Sequence, residues 1–186
     1  MPTDGDERSE KRIEIMSDKK KRILAISGST KVNSTNDTVI RMLREWTIEK
    51  ADVEQYNISH LPFFNIDLDV CHTPAIVLDF RAEIVAADAL IICSPEYVFS
   101  LPGVLKNALE WTVSSASFST KPVALIIAAS QGEKAFESLQ LIMRTLEAKF
   151  DDSTTLLIQG AKAKINSKET HEDINKLQQA LLSKII

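Results

Sequence analysis

The chain has 186 residues, 44% of them hydrophobic and 26% charged, with 22 basic against 26 acidic side chains and a formal net charge of −4. That is the make-up of an ordinary globular domain with enough chain for a sizeable core, and the acidic balance argues against broad nucleic-acid binding, which needs a basic face. No run of about 18 apolar residues is present, so no transmembrane helix is predicted. The two cysteines, Cys71 and Cys93, form no CxxC pair that would suggest a zinc site or a disulfide framework.

The first 22 residues are mostly charged and lack the apolar stretch of a signal peptide. Residues 1–21 are expected to be a charged flexible tail ahead of one domain over 22–186, with Met16 as a second candidate start. A cytoplasmic location is expected. Residues 22–27 are apolar enough for a strand covered on both faces. This strand ends at Gly28, and a helix carrying Val39, Ile40, Leu43 and Trp46 follows. The loop between them offers the hydroxyls of Ser29, Thr30, Ser34 and Thr35, the amides of Asn33 and Asn36, and unpaired backbone N–H groups at a helix start. Such a loop is a ready anion site, aided by the helix dipole, and a monophosphate fits it. Serine and asparagine also cap helices with no ligand present. The chain contains no GxGxxG, no GxxxxGK[ST] and no GxSxG.

Residues 52–58 form a plausible second strand, with Val53, Tyr56 and Ile58 apolar. The stretch 60–69 is too rich in proline and aromatics for a simple solvated turn. His60 and His72 have no partner at metal-ligand spacing. Thr73 and Pro74 open a helix to about Ala87, with Ile76, Val77, Phe80, Ile84 and Val85 as its apolar face. Residues 89–93 read as a buried strand, in which Cys93 is a small hydrophobe. Pro95 stops that strand, and Ser100 and Pro102 mark the start of a helix with Leu101, Val104, Leu105, Ala108, Leu109 and Trp111 at helical spacing. A fourth strand covers 123–129, a helix about 133–150, a fifth strand 154–158, and a last helix 171–186 with Ile174, Leu177, Leu181 and Ile185 inward. Alternating strands and helices imply an α/β fold with a doubly wound parallel sheet. Its ligands would sit outside the carboxyl ends of the strands.

Two segments resemble the NADPH-dependent FMN reductase family. Ser94-Pro95-Glu96-Tyr97, with the stretch from Ser100 to Trp111, is similar to that family's flavin-contacting segment. Gly28, Ser29, Lys31, Ser34 and Asn36 are similar to its phosphate loop, with Lys31 where arginine is usual. Lysine keeps the charge and loses the bidentate fork. The resemblance implies a flavodoxin-like five-stranded sheet of order 2-1-3-4-5, with helices on both faces. It implies FMN held at its phosphate by Ser29, Lys31, Ser34, Thr35 and Asn36. Backbone around Pro95, Glu96, Tyr97 and Val98 would hold the isoalloxazine edge, and Ser130, Gln131 and Gly132 its other end. The third loop has one glycine, followed by Glu133 and Lys134, where the family is usually glycine-rich.

The resemblance implies an NAD(P)H oxidoreductase that takes electrons from NADPH or NADH and delivers them through FMN to a small-molecule acceptor: a quinone, azo compound, metal oxyanion or free flavin. It also implies a homodimer or homotetramer. Since the cofactor carries such chemistry, no catalytic side chain and no metal ligand is expected. Glu96 is expected to matter through loop geometry more than through its carboxylate. A flavodoxin-type one-electron carrier without a nicotinamide site is the alternative, and a non-enzymatic member that has lost tight flavin binding is a third reading, motivated by Lys31 and the glycine-poor loop.

Overall fold

The structure is a computed structural model and describes residues 20–186; the tail expected over 1–21 lies outside them except for Lys20 and Lys21. In chain order the elements are β1 (Lys21–Ser27), α1 (Thr35–Thr47), β2 (Ala51–Tyr56), α2 (Ile66–Cys71), α3 (Ala75–Ala86), β3 (Ala89–Ser94), α4 (Gly103–Glu110), β4 (Val123–Ala129), α5 (Glu133–Thr145), β5 (Thr155–Gln159), α6 (Ala161–Lys164) and α7 (Lys168–Leu182). Every strand pairing is parallel, and the sheet order is β2-β1-β3-β4-β5. This is the flavodoxin-like order.

Alternation along the strands builds two cores, because successive side chains point to opposite faces. Leu24, Ile26, Leu90, Ile92, Leu125 and Ile127 pack under α3, α4 and α5. Ile23, Ala25, Ile91, Cys93, Ala124 and Ile126 pack under α1, α6 and α7. With both faces covered, the central strands have no polar side and read as unbroken apolar runs.

The connection from β2 to α3 is pinned over α4. Trp111 is fully buried and donates its indole N–H to the Pro62 carbonyl at 2.8 Å. Asn107 donates to the same carbonyl at 2.9 Å and accepts from the Phe64 N–H at 2.7 Å, while the Phe64 ring meets Trp111 edge-on at 5.1 Å. A second tie comes from Arg81. Its guanidinium holds Asp69, donates from Nε to the Trp111 carbonyl at 2.7 Å, and reaches Ser114 Oγ at 3.1 Å. Burial alone would raise the Asp69 carboxyl; hydrogen bonds from Arg81 and Ser114, with the Arg81 charge, hold it below the usual carboxylate value.

Several expected boundaries move, each for a local reason. β1 opens one residue earlier, at Lys21. β2 stops at Tyr56, because Asn57 accepts from the Ser59 N–H and starts a 3₁₀ turn over Ile58–His60. The 60–69 stretch contains the short helix α2, which begins at an Asn65 cap. α5 ends at Thr145: Glu147 is left-handed (φ 59°), and the bonds Ala148 N–H to Met143 O and Glu147 N–H to Arg144 O form a Schellman stop. β5 is shifted by one residue, and α6 was not foreseen. α7 starts at Lys168 because Ser167 caps the Thr170 N–H, and it ends at Leu182. On α3 the inward stripe is Val77, Phe80 and Ile84, leaving Ile76 and Val85 on its exposed flanks. Trp46 lies half-exposed, edge-on to His171.

Candidate cofactor site

Three loops leave the carboxyl ends of β1, β3 and β4 side by side. At the first, the Gly28 N–H donates to the Cys93 carbonyl at 2.8 Å, which carries the β1–β3 pairing one residue past the strand end. Ser34 then caps α1 in a reciprocal box: its Oγ accepts from the Asp37 N–H at 3.0 Å, and Asp37 accepts from the Ser34 N–H at 3.1 Å. The cap uses a lone pair of Ser34 and leaves the hydroxyl proton free. The N–H groups of Thr35 and Asn36, at the first turn, have no carbonyl a turn earlier to bond. The cap and an anion site therefore coexist in one loop. The Asn36 side chain is buried, with its Oδ1 3.2 Å from the Cys93 thiol. Burial, then the Asp37 charge, push that thiol up, so Cys93 is an inert core group.

At the second loop, Ser94 and Pro95 are buried and Tyr97 closes a two-residue turn on Ser100, with bonds of 3.0 and 3.1 Å in both directions. Val98 and Phe99 at its tip both lie in the left-handed region (φ 52° and 53°) and are exposed. A β-branched residue is rarely found there. Glu96 points the other way. Its two carboxylate oxygens accept from the Gly132 N–H at 3.1 Å and the Ala135 N–H at 3.0 Å. The carboxylate, expected from the sequence to matter less than the loop geometry around it, thus caps α5 from a different loop. Gly132 (φ 109°) offers no side-chain cap, and a Cβ on it would come within 2.8 Å of Leu157 and 2.9 Å of Ile127.

These loops enclose an open cleft of about 720 Å³, in the size range of small-molecule sites. Of the residues singled out from sequence, Ser29, Lys31, Ser34, Thr35, Asn36, Pro95, Glu96, Tyr97, Ser130 and Gln131 line it. Val98 and Gly132 do not: the first projects from the turn tip, and the second lies behind the Glu96 carboxylate. Asn33, one of the loop amides read from sequence, also lines it, whereas Thr30 does not, and the structure adds Ala128, Ala129, Ala161 and Lys162. Lys162 was legible only indirectly, through Gly160, whose left-handed φ of 61° turns the chain at the end of β5 into α6. Among the described residues, neither Lys31 nor Lys162 takes part in an ion pair. The described residues contain no group of three His, Cys, Asp or Glu that could hold a metal, and no helix among them is long and apolar enough to cross a membrane.

The protein is thus an α/β protein with a flavodoxin-like sheet whose carboxyl edge carries a hydroxyl- and amide-rich first loop, a proline-led second loop and a polar third loop. The family model of NADPH-dependent FMN reductase matches residues 21–163, and the chain belongs to that family. It is 40% identical over 113 residues to an NAD(P)H-dependent FMN reductase of Pseudomonas aeruginosa, covering 60% of each chain. An NADPH:quinone oxidoreductase of Arabidopsis thaliana is 38% identical over 110 residues, 56% of each chain. The alignments thus span little more than half the length of these two relatives. A longer match is the NADH:(hydroxy)cinnamate reductase subunit CrdA of Vibrio ruber, 33% identical over 83% of this chain and 79% of that one. Among solved structures, the NAD(P)H:(acceptor) oxidoreductase FerB of Paracoccus denitrificans superposes with a TM-score of 0.72 at 22% identity, over 89% of this chain and 97% of that one. That likeness concerns the fold.

Proposed function

We propose that this chain is an FMN-dependent NAD(P)H oxidoreductase acting on a small-molecule acceptor, with quinones the first class to test. The observation that carries the reading is the single cleft in which the β1 anion cradle, the Pro95–Tyr97 turn and the Ser130–Gln131 loop meet. Its donor set suits FMN. The free hydroxyl proton of Ser34 and the N–H groups of Thr35 and Asn36 would hold a phosphate, with Lys31 adding charge. The buried Pro95 and the turn that takes up the Tyr97 N–H and carbonyl fix the second loop, so that the Glu96 N–H and carbonyl are preorganised for the edge of a flat ring. Ser130 and Gln131 would meet the ring's other end. Bound FMN would supply the redox chemistry, taking electrons from NADPH or NADH and passing them to the acceptor. The protein then binds, orients and restricts water, which is why the cleft needs no nucleophile or acid–base pair. The similarity to an FMN reductase and to a quinone oxidoreductase supports this reading over a one-electron carrier.

The reading includes a homodimer or homotetramer in which the exposed Tyr97, Val98 and Phe99 are covered, measurable by light scattering, and a cytoplasmic setting where NAD(P)H is supplied. The experiment for the function is a visible spectrum of the protein mixed with FMN and desalted, repeated after anaerobic NADPH and NADH. A retained flavin spectrum that bleaches is expected. Retention without bleaching by either nucleotide would leave a carrier, and no retention would remove the FMN site.

A further inference from the structure

We infer that the Glu96 carboxylate holds down the reduction potential of the flavin in this cleft, by neutralising the end of α5 that faces it. The inference rests on the FMN site proposed above and adds a role for one side chain. α5 is a 13-residue helix whose N-terminus follows directly on Ser130 and Gln131, two residues of the cleft wall. An uncovered helix N-terminus presents unpaired N–H groups and a partial positive charge. A local cap is barred here: position 132 is left-handed, and Leu157 and Ile127 leave no room for a Cβ. The cap comes from 36 residues away, where both oxygens of Glu96 are spent on the Gly132 and Ala135 N–H groups. The wall that would carry a positive helix end carries a carboxylate instead. Of the neighbouring charges on α5, Lys134 pairs with Glu137 at 2.9 Å, while Glu133 accepts from the uncharged Gln159 amide of β5 at 2.5 Å and so keeps its negative charge.

Reduction adds negative charge to an isoalloxazine ring near neutral pH. A carboxylate in the wall opposes that charge, whereas an uncovered helix end would favour it, and the low-dielectric edge of the cleft strengthens both effects. Glu96 therefore weakens binding of reduced FMN relative to oxidised FMN. By linkage this lowers the potential and makes the bound cofactor a stronger donor to its acceptor. A residue that only buttressed the loop would change both affinities together and leave their ratio alone.

The test compares wild type, Glu96→Gln and Glu96→Asp, each with FMN, measuring the dissociation constants of oxidised and reduced FMN and the midpoint potential against reference dyes. Glu96→Gln keeps the size and removes the charge. It is expected to shift the oxidised-to-reduced Kd ratio about tenfold toward the reduced form, a rise of about 30 mV for a two-electron couple. Glu96→Asp keeps the charge and is too short to bridge both N–H groups, so its potential should stay at the wild-type value while its melting temperature falls. A Gln variant with an unchanged or lower potential overturns the inference, as does a folded Gln variant that has lost both forms of FMN. Should the Gln variant fail to fold, the Asp variant decides, and a raised potential there overturns the inference. Failure of the wild type to retain FMN at all would instead sink the underlying site.

Discussion

Replacing Gly28 by alanine tests how closely the strands that carry the first and second loops must approach. A Cβ at this position would lie 2.3 Å from Ser94 Oγ, 2.8 Å from Ser94 Cβ and 3.2 Å from Leu105 Cδ2, against about 3.5–4.0 Å for a relaxed carbon–carbon contact. Rotating the Ser94 hydroxyl, which now donates to the Pro95 carbonyl at 3.0 Å, relieves only the first of these. The second is set by backbone, since Ser27 pairs with Cys93 in the sheet and the Gly28 N–H bonds the Cys93 carbonyl. Alanine must therefore wedge β1 from β3 at the mouth of the cleft. Overpacking of this kind costs about 1–3 kcal/mol, offset by roughly 0.5–1 kcal/mol from removing a glycine from the unfolded chain. A net loss of about 1–2 kcal/mol corresponds to a melting temperature lower by about 2–8 °C for a domain of this size. The assay is thermal unfolding of Gly28→Ala alone and combined with Ser94→Ala or Ser94→Gly. Ser94→Ala removes the hydroxyl contact and should rescue in part; Ser94→Gly removes both contacts and should rescue further, less its own glycine cost. Equal rescue by the two partners, or a Gly28→Ala protein as stable as wild type, would refute the wedge.

Arg81→Ala should cost about 3–5 kcal/mol in urea unfolding, because it leaves the fully buried Asp69 carboxylate without its cation. Since Asp69 titrates below its ordinary value in the folded chain, its contribution is complete above the unfolded carboxylate pKa of about 3.9 and is lost as pH falls through the lower folded value. Acid titration of stability should show this loss in wild type and not in Asp69→Asn. Val98→Asn with Phe99→Gly suits the two left-handed turn positions and should raise the stability of the dissociated chain by about 1–2 kcal/mol in chemical denaturation at concentrations where light scattering finds monomer; no gain there would mean the turn holds no strain. Lys31→Gln, at an exposed position that makes no ion pair among the described residues, should leave stability within about 0.5 kcal/mol of wild type. It should weaken FMN binding several-fold at low ionic strength, and by less as salt screens the phosphate.

What could be read from the chain in advance was what neighbours in sequence decide together. β1, β3 and β4 are covered on both faces, so their apolar runs carry the signal without any partner being known. The run of hydroxyls and amides from Ser29 to Asn36, and Pro95 after a buried strand, are likewise local, and they led to two of the three loops of the cleft; the box that Ser34 makes with Asp37 is seen only in the structure. The misplaced elements depend on distant partners. α2 has only six residues; Asn65 starts it, and Asp69 within it is held by Arg81 and the Trp111 end of α4. The stop of α5 at Thr145 serves the pairing of Lys149 beside β4, which no helical periodicity reveals. At the cleft, Lys162 arrives from the far edge of the sheet. The sharpest case is Glu96. Its position in the motif marks a loop, while its carboxylate completes a helix that starts 37 residues later because glycine is the one residue that fits at 132. A helix end that packing forbids to cap itself must borrow its anion from another loop. At this cleft the borrowed anion also sits in the wall that a cofactor would face, so one constraint on folding becomes a constraint on redox potential.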